Sequence, residues 1–300
     1  PAKPFTPVRF RLQPPLDMKI AIIGYGFVGR ALENALIDEV EILKVDPKLD
    51  VNINKDLKSF NPNVVFICAP SPMSSDGSIN FSIINKIISD LIEIKFSNLL
   101  VIKSTIHPDC IKEAQQHFPN LIYNPEFLRE KSANDDFINA NLIVIGGTKK
   151  ESKKLGNIYK NFTKCVNKDY VYTDAYAASL IKYSINSFLA TKVIFFNELK
   201  NLFDLSDTNE SWDNFISFLS LDKRLGDSHM DVPGHDGRLG FGGACFPKDT
   251  KAIIKYAEDK RIDLKLIKSA VETNNRIRAS YKKNIDREND QSIDFNIKDD

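Results

Sequence analysis

The sequence has few cysteines and no closely spaced pair of them. Only four occur among its 300 residues, and the four histidines are scattered. Disulfide-rich secreted domains and structural zinc sites need more cysteines or Cys-x-x-Cys spacing, so both classes are excluded. We predict no metal site. Free thiols are typical of a reducing compartment, so we expect a cytoplasmic protein.

An excess of charge and long apolar runs are also missing. Lys plus Arg (41) nearly equals Asp plus Glu (40), so the sequence lacks the basic surplus typical of nucleic-acid-binding domains. No apolar run approaches the roughly 20 residues that a membrane-spanning helix needs, and the N-terminus lacks the apolar core of a signal peptide. We therefore expect neither a nucleic-acid partner nor a membrane.

What the sequence does contain is a change of pattern along its length, and a chain of this size favours two domains. Residues 1–17 hold five prolines and no periodicity, so we predict a leader outside the fold. Over residues 18–150, short apolar runs alternate with helix-like stretches. This alternation predicts an α/β domain with a Rossmann-type, doubly wound sheet.

Residues 151–281 predict a mainly α-helical domain. The run from Asp174 to Leu205 has an N-cap residue, no internal Pro or Gly, and apolar residues every three to four positions. It therefore predicts one long central helix, and its apolar length favours a homodimer formed through that helix. Residues 282–300 are polar and charged, so they are predicted to be a disordered tail.

A glycine motif follows the first predicted strand. Gly24, Gly26 and Gly29 form G-x-G-x-x-G between a strand and a helix, and Asp46 closes the next strand about 20 residues on. In a dinucleotide site these glycines allow a tight turn, approach of a pyrophosphate, and close helix–strand packing, while the acid accepts bonds from a ribose diol. The pattern predicts NAD as cofactor, although Lys44 and Lys48 weaken the preference over NADP. The alternative is a purely structural turn.

One cysteine, Cys245, has neighbours suited to thiol chemistry. It lies in GFGGACFPKD, residues 240–249, where glycines expose backbone and a lysine and an aspartate follow. Cys68 lies in an apolar strand and is expected in the core, and Cys110 and Cys165 receive no role. These residues alone fit a nucleophile and a glycine-rich turn with a buried thiol equally well.

Six ordered blocks resemble the UDP-glucose/GDP-mannose dehydrogenase family. They are GYGFVG, APSP, KSTIHP, NPEFLRE, KYSINSFLATKVIFFNE and GFGGACFPKD, and they span roughly residues 18–275. Enzymes of this family oxidise the primary alcohol of a sugar nucleotide to a carboxylate in two hydride transfers to NAD. The resemblance implies a sugar-nucleotide substrate, UDP-glucose first, and a uronic acid product that feeds polysaccharide biosynthesis.

The resemblance also implies roles for individual residues. Cys245 would attack the intermediate aldehyde, and hydride loss from the adduct would give a thioester. Lys182 and Asn186 lie one turn apart on the long helix and would stabilise the reacting oxygen. Asp249 would assist proton transfer, and Glu126 would assist thioester hydrolysis.

Thr105 would position the hydrolytic water. The implied cofactor-binding residues are Gly24, Gly26, Phe27, Val28, Gly29, Asp46, Ser71 and Thr105. The implied substrate-binding residues are Phe127, Leu128, Arg129, Glu130, Lys182, Asn186, Arg238 and Gly242. Without the resemblance, Lys182 and Asn186 could equally be solvated residues of a helix face, and Glu126 could merely cap a helix.

The sequence departs from the family pattern in three respects. Many members continue into a second Rossmann-like domain, which we do not expect after Tyr281, and Ser179 and Ala244 replace a glutamate and a serine. Two alternatives therefore stay open. One is a two-electron hydroxyacid-type dehydrogenase, which would not use Cys245. The other is a non-catalytic, NAD-binding remnant.

Overall fold

The computed structural model describes residues 18–281 and 283–295. The predicted leader, residues 1–17, lies outside the described residues. The described chain divides into two compact units. Unit 1 comprises residues 18–68, 90–103 and 120–173, and unit 2 comprises residues 69–89, 104–119 and 174–295 without 282.

Unit 1 contains a seven-stranded sheet. The strands are β1 (Lys19–Ile23), β2 (Glu41–Val45), β3 (Val64–Ile67), β4 (Leu99–Ile102), β5 (Ile122–Tyr123), β6 (Val144–Gly146) and β7 (Val171–Thr173), in the order β2-β1-β3-β4-β5-β6-β7. Neighbours are parallel except β5 and β6. Every residue of β3 and β4 is buried, as expected for parallel strands that are covered on both faces. The predicted Rossmann-type sheet is confirmed.

Helices follow most strands. In chain order they are α1 (Phe27–Ala35), α2 (Lys58–Phe60), α3 (Ser82–Glu93), α4 (Pro108–His117), α5 (Ala133–Ile138), α6 (Lys149–Phe162), α7 (Ala175–Asp204), α8 (Trp212–Ser220), α9 (Phe246–Asp259), α10 (Lys265–Arg278) and α11 (Asp286–Asp290). A π-helical turn, Ile53–Leu57, precedes α2, and a 3-10 turn, Glu130–Ser132, precedes α5. Leu32 of α1, Phe137 of α5 and Leu155 of α6 join the strands in one hydrophobic core.

The boundary between the two units differs from the predicted one at residue 150. Strand β7 extends the sheet, because Val171 pairs with Val144 and the Gly147 N–H donates to Thr173 O at 2.9 Å. Helix α6 packs in the same core as the strands. Residues 69–89 and 104–119 belong to unit 2 although they lie between strands in sequence. The prediction missed this because loops after β3 and β4 carry no compositional mark of their own.

Unit 2 is built around the predicted long helix, which α7 confirms. Asp174 is its N-cap, and its side chain accepts a hydrogen bond from the Ala177 N–H at 2.8 Å. One face of α7 packs against the helices that follow the cysteine. Ala190 and Ile194 contact Phe241, Ala270 and Val271 in a hydrophobic cluster.

The prediction of a disordered tail from residue 282 is wrong for residues 283–295. Helix α11 forms there, Glu288 is fully buried, and Ile293 and Phe295 pack against Met73. The composition of this segment did not predict its structure. Most of its residues are polar or charged, and two apolar side chains and one buried acid hold it in place. Residues 282 and 296–300 lie outside the described part of the chain.

Candidate active site

The glycine turn of unit 1 has a distinct reason for each glycine. Gly24 has φ +92°, a backbone conformation that favours glycine. A Cβ at Gly29 would overlap the carbonyl oxygen of Gly24, whereas a Cβ at Gly26 would meet nothing within 4 Å. The turn therefore needs Gly24 for its conformation and Gly29 for close packing. At Gly26 it leaves open space beside the backbone.

The N-terminus of α1 is suited to an anion. Gly26 is the N-cap and supplies no side-chain bond to the first turn, which contains Phe27 and Val28 and no acidic residue. The N–H groups of the first turn and the positive end of the helix dipole then face the open space at Gly26. These features fit the pyrophosphate of a dinucleotide.

Asp46 lies beside this turn. Its Oδ2 accepts the Tyr25 N–H at 2.8 Å, and its Oδ1 accepts the Lys48 N–H at 3.0 Å. A carboxylate can accept about four hydrogen bonds, so both oxygens retain capacity for ribose hydroxyls. The backbone bonds hold the carboxylate in place before a ligand arrives.

Lys44, which weakened the expected preference for NAD, is paired within the protein. Its Nζ lies 3.1 Å from Glu33 Oε1 and 5.2 Å from the centre of the Tyr25 ring, and the Tyr25 hydroxyl donates to the same carboxylate. Glu33 was not singled out in the sequence. Its position on α1, facing the end of β2, gave no signal before the fold was known.

The NPEFLRE loop follows β5 in unit 1. Glu126 is buried, and its Oε2 accepts the Leu128 N–H at 2.6 Å, which closes a local turn that contains Phe127. Arg129, the residue before Glu130, donates to the Asp136 carboxylate from Nη2 at 2.7 Å and from Nε at 3.1 Å. Bonds from the guanidinium lower the pKa of Asp136, and the same bonds raise the pKa of Arg129. The implied substrate arginine thus has a fixed carboxylate partner.

A buried lysine, Lys103, binds the residue at the start of this loop. Lys103 Nζ donates to Asn124 Oδ1 at 2.9 Å and lies 5.1 Å from the centre of the Phe137 ring. The Tyr159 hydroxyl donates to the same amide oxygen at 2.7 Å. Asn124 stands two residues before Glu126, so this network orients the start of the loop. The sequence signal for this network is a lysine directly after a buried strand.

Cys245 begins a helix in unit 2. It is the N-cap of α9 and half-buried, and Gly243 before it has φ +77°. A helix N-terminus favours the thiolate over the thiol. At Cys68 and Cys110, burial raises the pKa of each thiol to about 12. Cys68 lies in the core as expected.

The side chains that follow Cys245 form a buried polar chain with α7. Lys248 Nζ lies 2.5 Å from Asp249 Oδ1, and the Asn186 amide donates to Asp249 Oδ2 at 2.6 Å. Asp249 is fully buried, and Lys182, one turn before Asn186, is only 3% exposed. Lys182 and Asn186 are therefore not solvated residues of a helix face. The structure brings Asn186 and Asp249 together, and it adds Lys248 to them.

The KSTIHP loop also packs on α7. The Ser179 hydroxyl donates to Ile106 O at 2.7 Å, and the Ser104 hydroxyl donates to Ala69 O at 2.6 Å. Thr105 of this loop and Ser71 of the APSP loop are both buried. Ser179, which departs from the family pattern, thus bonds the loop that carries Thr105. It lies one turn before Lys182 on α7.

Two implied substrate residues lie near the C-terminal part of unit 2. Arg238 Nη1 donates to Lys283 O at 2.8 Å, and its guanidinium lies 5.0 Å from the centre of the Tyr281 ring. Gly242 has no room for a side chain, because a Cβ there would overlap Arg278 and Glu288. The Arg238 guanidinium thus contacts the chain after α10.

Within the described residues, no three His, Cys, Asp or Glu side chains converge in a way that could hold a metal ion. Across the same ranges, none of the helices combines the length and apolar character of a membrane span. What unit 2 does gather is a cysteine at a helix N-terminus, a buried lysine, an amide and a paired carboxylate. Such groups can supply a nucleophile, a stabilised oxyanion and a proton acceptor.

Two models of one protein family match the chain. The UDP-glucose/GDP-mannose dehydrogenase family, NAD binding domain, matches residues 32–163, and the central domain of that family matches residues 176–276. A UDP-glucose 6-dehydrogenase of Rickettsia bellii is 36% identical over 230 residues, which cover 74% of this chain and 50% of that protein. One of Campylobacter jejuni is 30% identical over 293 residues, with coverages of 86% and 72%.

The chain spans half to about three quarters of the length of these curated relatives. Solved structures extend the likeness to the fold. A UDP-glucose dehydrogenase of Pyrobaculum islandicum superposes with a TM-score of 0.74 at 24% identity, over 91% of this chain and 70% of that one. A 3-hydroxyisobutyrate dehydrogenase of Mycobacterium tuberculosis gives 0.63 at 15% identity, over 93% and 97%.

Proposed function

The chain belongs to the UDP-glucose/GDP-mannose dehydrogenase family, and on this basis we propose that it is an NAD-dependent nucleotide-sugar dehydrogenase. The proposed reaction oxidises the sugar's primary alcohol to a carboxylate, with UDP-glucose converted to UDP-glucuronate. The observation that carries the proposal is the buried chain of Lys248, Asp249 and Asn186 that starts three residues after Cys245. NAD and sugar nucleotides are cytoplasmic metabolites, so we place the activity in the cytoplasm.

The glycine turn, the α1 N-terminus and Asp46 would hold the dinucleotide. When bound, NAD supplies the hydride acceptor for each oxidation. The open space at Gly26 admits the pyrophosphate, and the carboxylate of Asp46 accepts the ribose hydroxyls. Ser71 and Thr105 remain predicted contacts. These roles concern binding and orientation alone.

Cys245 would act in the second oxidation. Its sulfur forms a bond to the aldehyde carbon, and a base takes the thiol proton and passes it to the carbonyl oxygen, which becomes a hydroxyl. Loss of hydride from that carbon, with loss of the hydroxyl proton, leaves a thioester. Water then cleaves the C–S bond, which returns the thiol and releases the carboxylate. In total, one alcohol, two NAD and one water give one carboxylate, two NADH and three protons.

The neighbours of Cys245 have matching tasks. The ammonium of Lys182 and the amide of Asn186 would stabilise negative charge on the reacting oxygen. Asp249 would take and return protons through a water, held in place by Lys248. Glu126 and Thr105 keep their predicted roles in hydrolysis, and the residues from Phe127 to Glu130, Arg238 and Gly242 keep theirs in substrate binding.

The outer face of α7 supports a homodimer as part of the proposal. Leu180, Phe188, Phe195 and Leu202 recur at seven or eight residues, and they are 43, 68, 57 and 67% exposed. A stripe of that size on a helix is costly to leave in water, and a second copy of α7 would cover it. Replacing Phe188 and Phe195 by serine should lower the mass in light scattering to that of a monomer. The control is Leu266→Ser, which changes an equally exposed leucine of α10.

The proposed activity is tested by counting NADH per sugar consumed, with UDP- and GDP-sugars and with hydroxyacids. We expect two NADH per sugar for the wild type and at most one for Cys245→Ala. Cys110→Ala is the matched control and should retain two. One NADH per hydroxyacid, unaffected by Cys245→Ala, would favour the hydroxyacid-type alternative. NAD binding without turnover of any compound would favour the non-catalytic one.

A further inference from the structure

Residues 285–295 form an ordered segment that we call the strap. It contains α11 and contacts three other parts of unit 2. These are the cysteine loop (residues 240–249), Met73 directly after APSP, and α9. A surface segment of this composition would usually be free of such contacts. The question is what the strap does for the loops that it touches.

Glu288 is the point at which the strap meets the cysteine loop. It is 0% exposed. Its Oε1 accepts the Gly243 N–H at 3.2 Å, and its Oε2 accepts the Ile285 N–H at 2.9 Å. Burial of a carboxylate is costly unless hydrogen bonds compensate for it, and bonds to a charged acceptor are stronger than neutral ones. Glu288 therefore fixes the peptide two residues before Cys245.

Arg278 lies against the same stretch of backbone. Its guanidinium is buried and binds Asp236 at 2.7 Å. A Cβ at Gly242 would overlap both this guanidinium and the Glu288 carboxylate, so the two charged groups lie together against one side of Gly242. Gly243 is in the left-handed region, which an unrestrained loop would leave easily. The backbone before Cys245 is thus held by groups that lie far along the chain.

The far end of the strap is anchored independently of Glu288. The Met73 N–H donates to Gln291 O at 3.2 Å, and Ile293 and Phe295 pack on the Met73 side chain. Lys251 Nζ donates to Asp294 O at 2.8 Å. Met73 lies two residues after Ser71. The strap consequently connects two loops that carry predicted site residues.

We infer that the strap holds the cysteine loop in its reactive conformation and that Glu288 is a positioning residue for Cys245. Glu288 acts through the Gly243 peptide, which sets where the backbone of Cys245 enters α9. The catalytic consequence of this inference rests on the proposed function. The control of loop mobility and of thiol access by Glu288 does not.

The first test measures the loop without any substrate. In Glu288→Ala we expect amide hydrogen exchange of residues 240–245 to accelerate about tenfold or more, because a charge-assisted hydrogen bond is lost. Alkylation of Cys245 by iodoacetamide, followed by peptide mass spectrometry, should accelerate about fivefold as the half-buried thiol becomes accessible. Cys68 and Cys110, with pKa values of about 12, serve as slow internal references.

Three further variants separate positioning from general destabilisation. Glu288→Gln keeps the shape and one acceptor oxygen, so it should restore most of the wild-type exchange and alkylation rates. Ile293→Ala loosens the far anchor and leaves Glu288 intact, so alkylation should rise by a smaller factor. Asp290→Asn removes an exposed carboxylate of the same helix, which pairs with Arg287 at 3.2 Å, and should change neither rate.

The second test measures turnover with the sugar nucleotide that the wild type uses. Glu288→Ala should lower kcat at least about tenfold with the KM for NAD within about twofold, because positioning of the nucleophile acts on the chemical step. If Glu288→Ala changes the exchange and alkylation rates but the wild type turns over no sugar, the inference about the strap is supported and the proposed function is contradicted. Wild-type exchange and alkylation rates in Glu288→Ala would overturn the inference, whatever the activity.

Discussion

The glycine turn of unit 1 and the cysteine loop of unit 2 both depend on glycines, but for different reasons. A Cβ at Gly29 is excluded by the carbonyl oxygen of Gly24, five residues earlier. A Cβ at Gly242 is excluded by Arg278 and Glu288, from α10 and the strap. One site is shaped by its own backbone and the other by side chains that are distant in sequence. A short motif therefore specifies the first fully and the second only in part.

The chemistry of the two sites follows the same division. The turn offers backbone N–H groups and one carboxylate, which need little beyond local geometry. The chemistry proposed for the cysteine loop requires a lysine, an amide and a carboxylate at fixed positions, and these side chains are buried. Removing a side-chain partner that is distant in sequence should therefore disturb the cysteine loop most. Adding a Cβ to a glycine should disturb the glycine turn most.

The largest effect is expected from the buried ion pair. Lys248→Met leaves the Asp249 carboxylate buried without its cation, which should lower the free energy of unfolding by about 3–5 kcal/mol. Urea denaturation followed by circular dichroism measures the change. Lys255→Met on the same helix breaks an exposed pair with Asp259 and should lower the free energy of unfolding far less, because solvent screens exposed pairs. Equal losses in the two variants would contradict a dominant role for burial.

In the glycine turn, the third and second glycines should respond differently. Gly29→Ala forces a Cβ against a backbone oxygen and should cost about 1–3 kcal/mol of unfolding free energy and most of the affinity for NAD. Gly26→Ala places its methyl in open space, so stability should change little while NAD affinity falls. Thermal unfolding and NADH fluorescence titration separate the two outcomes. A stability loss at Gly26 as large as that at Gly29 would refute the packing argument.

The choice between NAD and NADP tests the side chains that border the turn. Glu33→Gln weakens the hold on Lys44, and the freed ammonium can approach a 2′-phosphate, which should improve NADPH binding about tenfold. The double variant Glu33→Gln with Lys44→Met should lose that gain. Fluorescence titration with NADPH and NADH gives both affinities. An unchanged ratio in Glu33→Gln would show that Asp46 alone discriminates.

The smallest expected effect concerns the loop that carries Thr105. Burial lowers the pKa of His107, with Lys260 acting in the same direction and Asp109 and Asp259 opposing. Below about pH 6.5 the unfolded state binds more protons than the folded state at this residue, so stability falls as pH decreases, by at most about 1.4 kcal/mol per pH unit. His107→Phe should flatten this part of the pH profile of unfolding.

The exposed His117 of α4 provides the matched control. His117→Gln should leave the slope between pH 7 and 5 unchanged. A slope that is the same in the wild type and in His107→Phe would mean that burial of the His107 ring does not penalise its protonation.

Much of the fold was predictable because it is written in local patterns. The G-x-G-x-x-G turn, the strands up to β6 and the uninterrupted run of α7 each carry their signal within a few tens of residues. Helix α11 did not, because its place depends on Glu288 meeting Gly243. Ser179 illustrates the same limit. Its identity was read as a departure from a pattern, and only the bond to Ile106 O gives it a role.

By itself, the sequence determined the sheet, the long helix, the glycine turn and the residue types around Cys245, because hydrophobic periodicity and backbone conformation are local properties. The tertiary structure decided which polar groups are buried and which partners they have. It placed Asp249 between Lys248 and Asn186, and it placed Glu288 against the cysteine loop. Burial and pairing depend on residues that are distant in the chain, so no short stretch of sequence contains them.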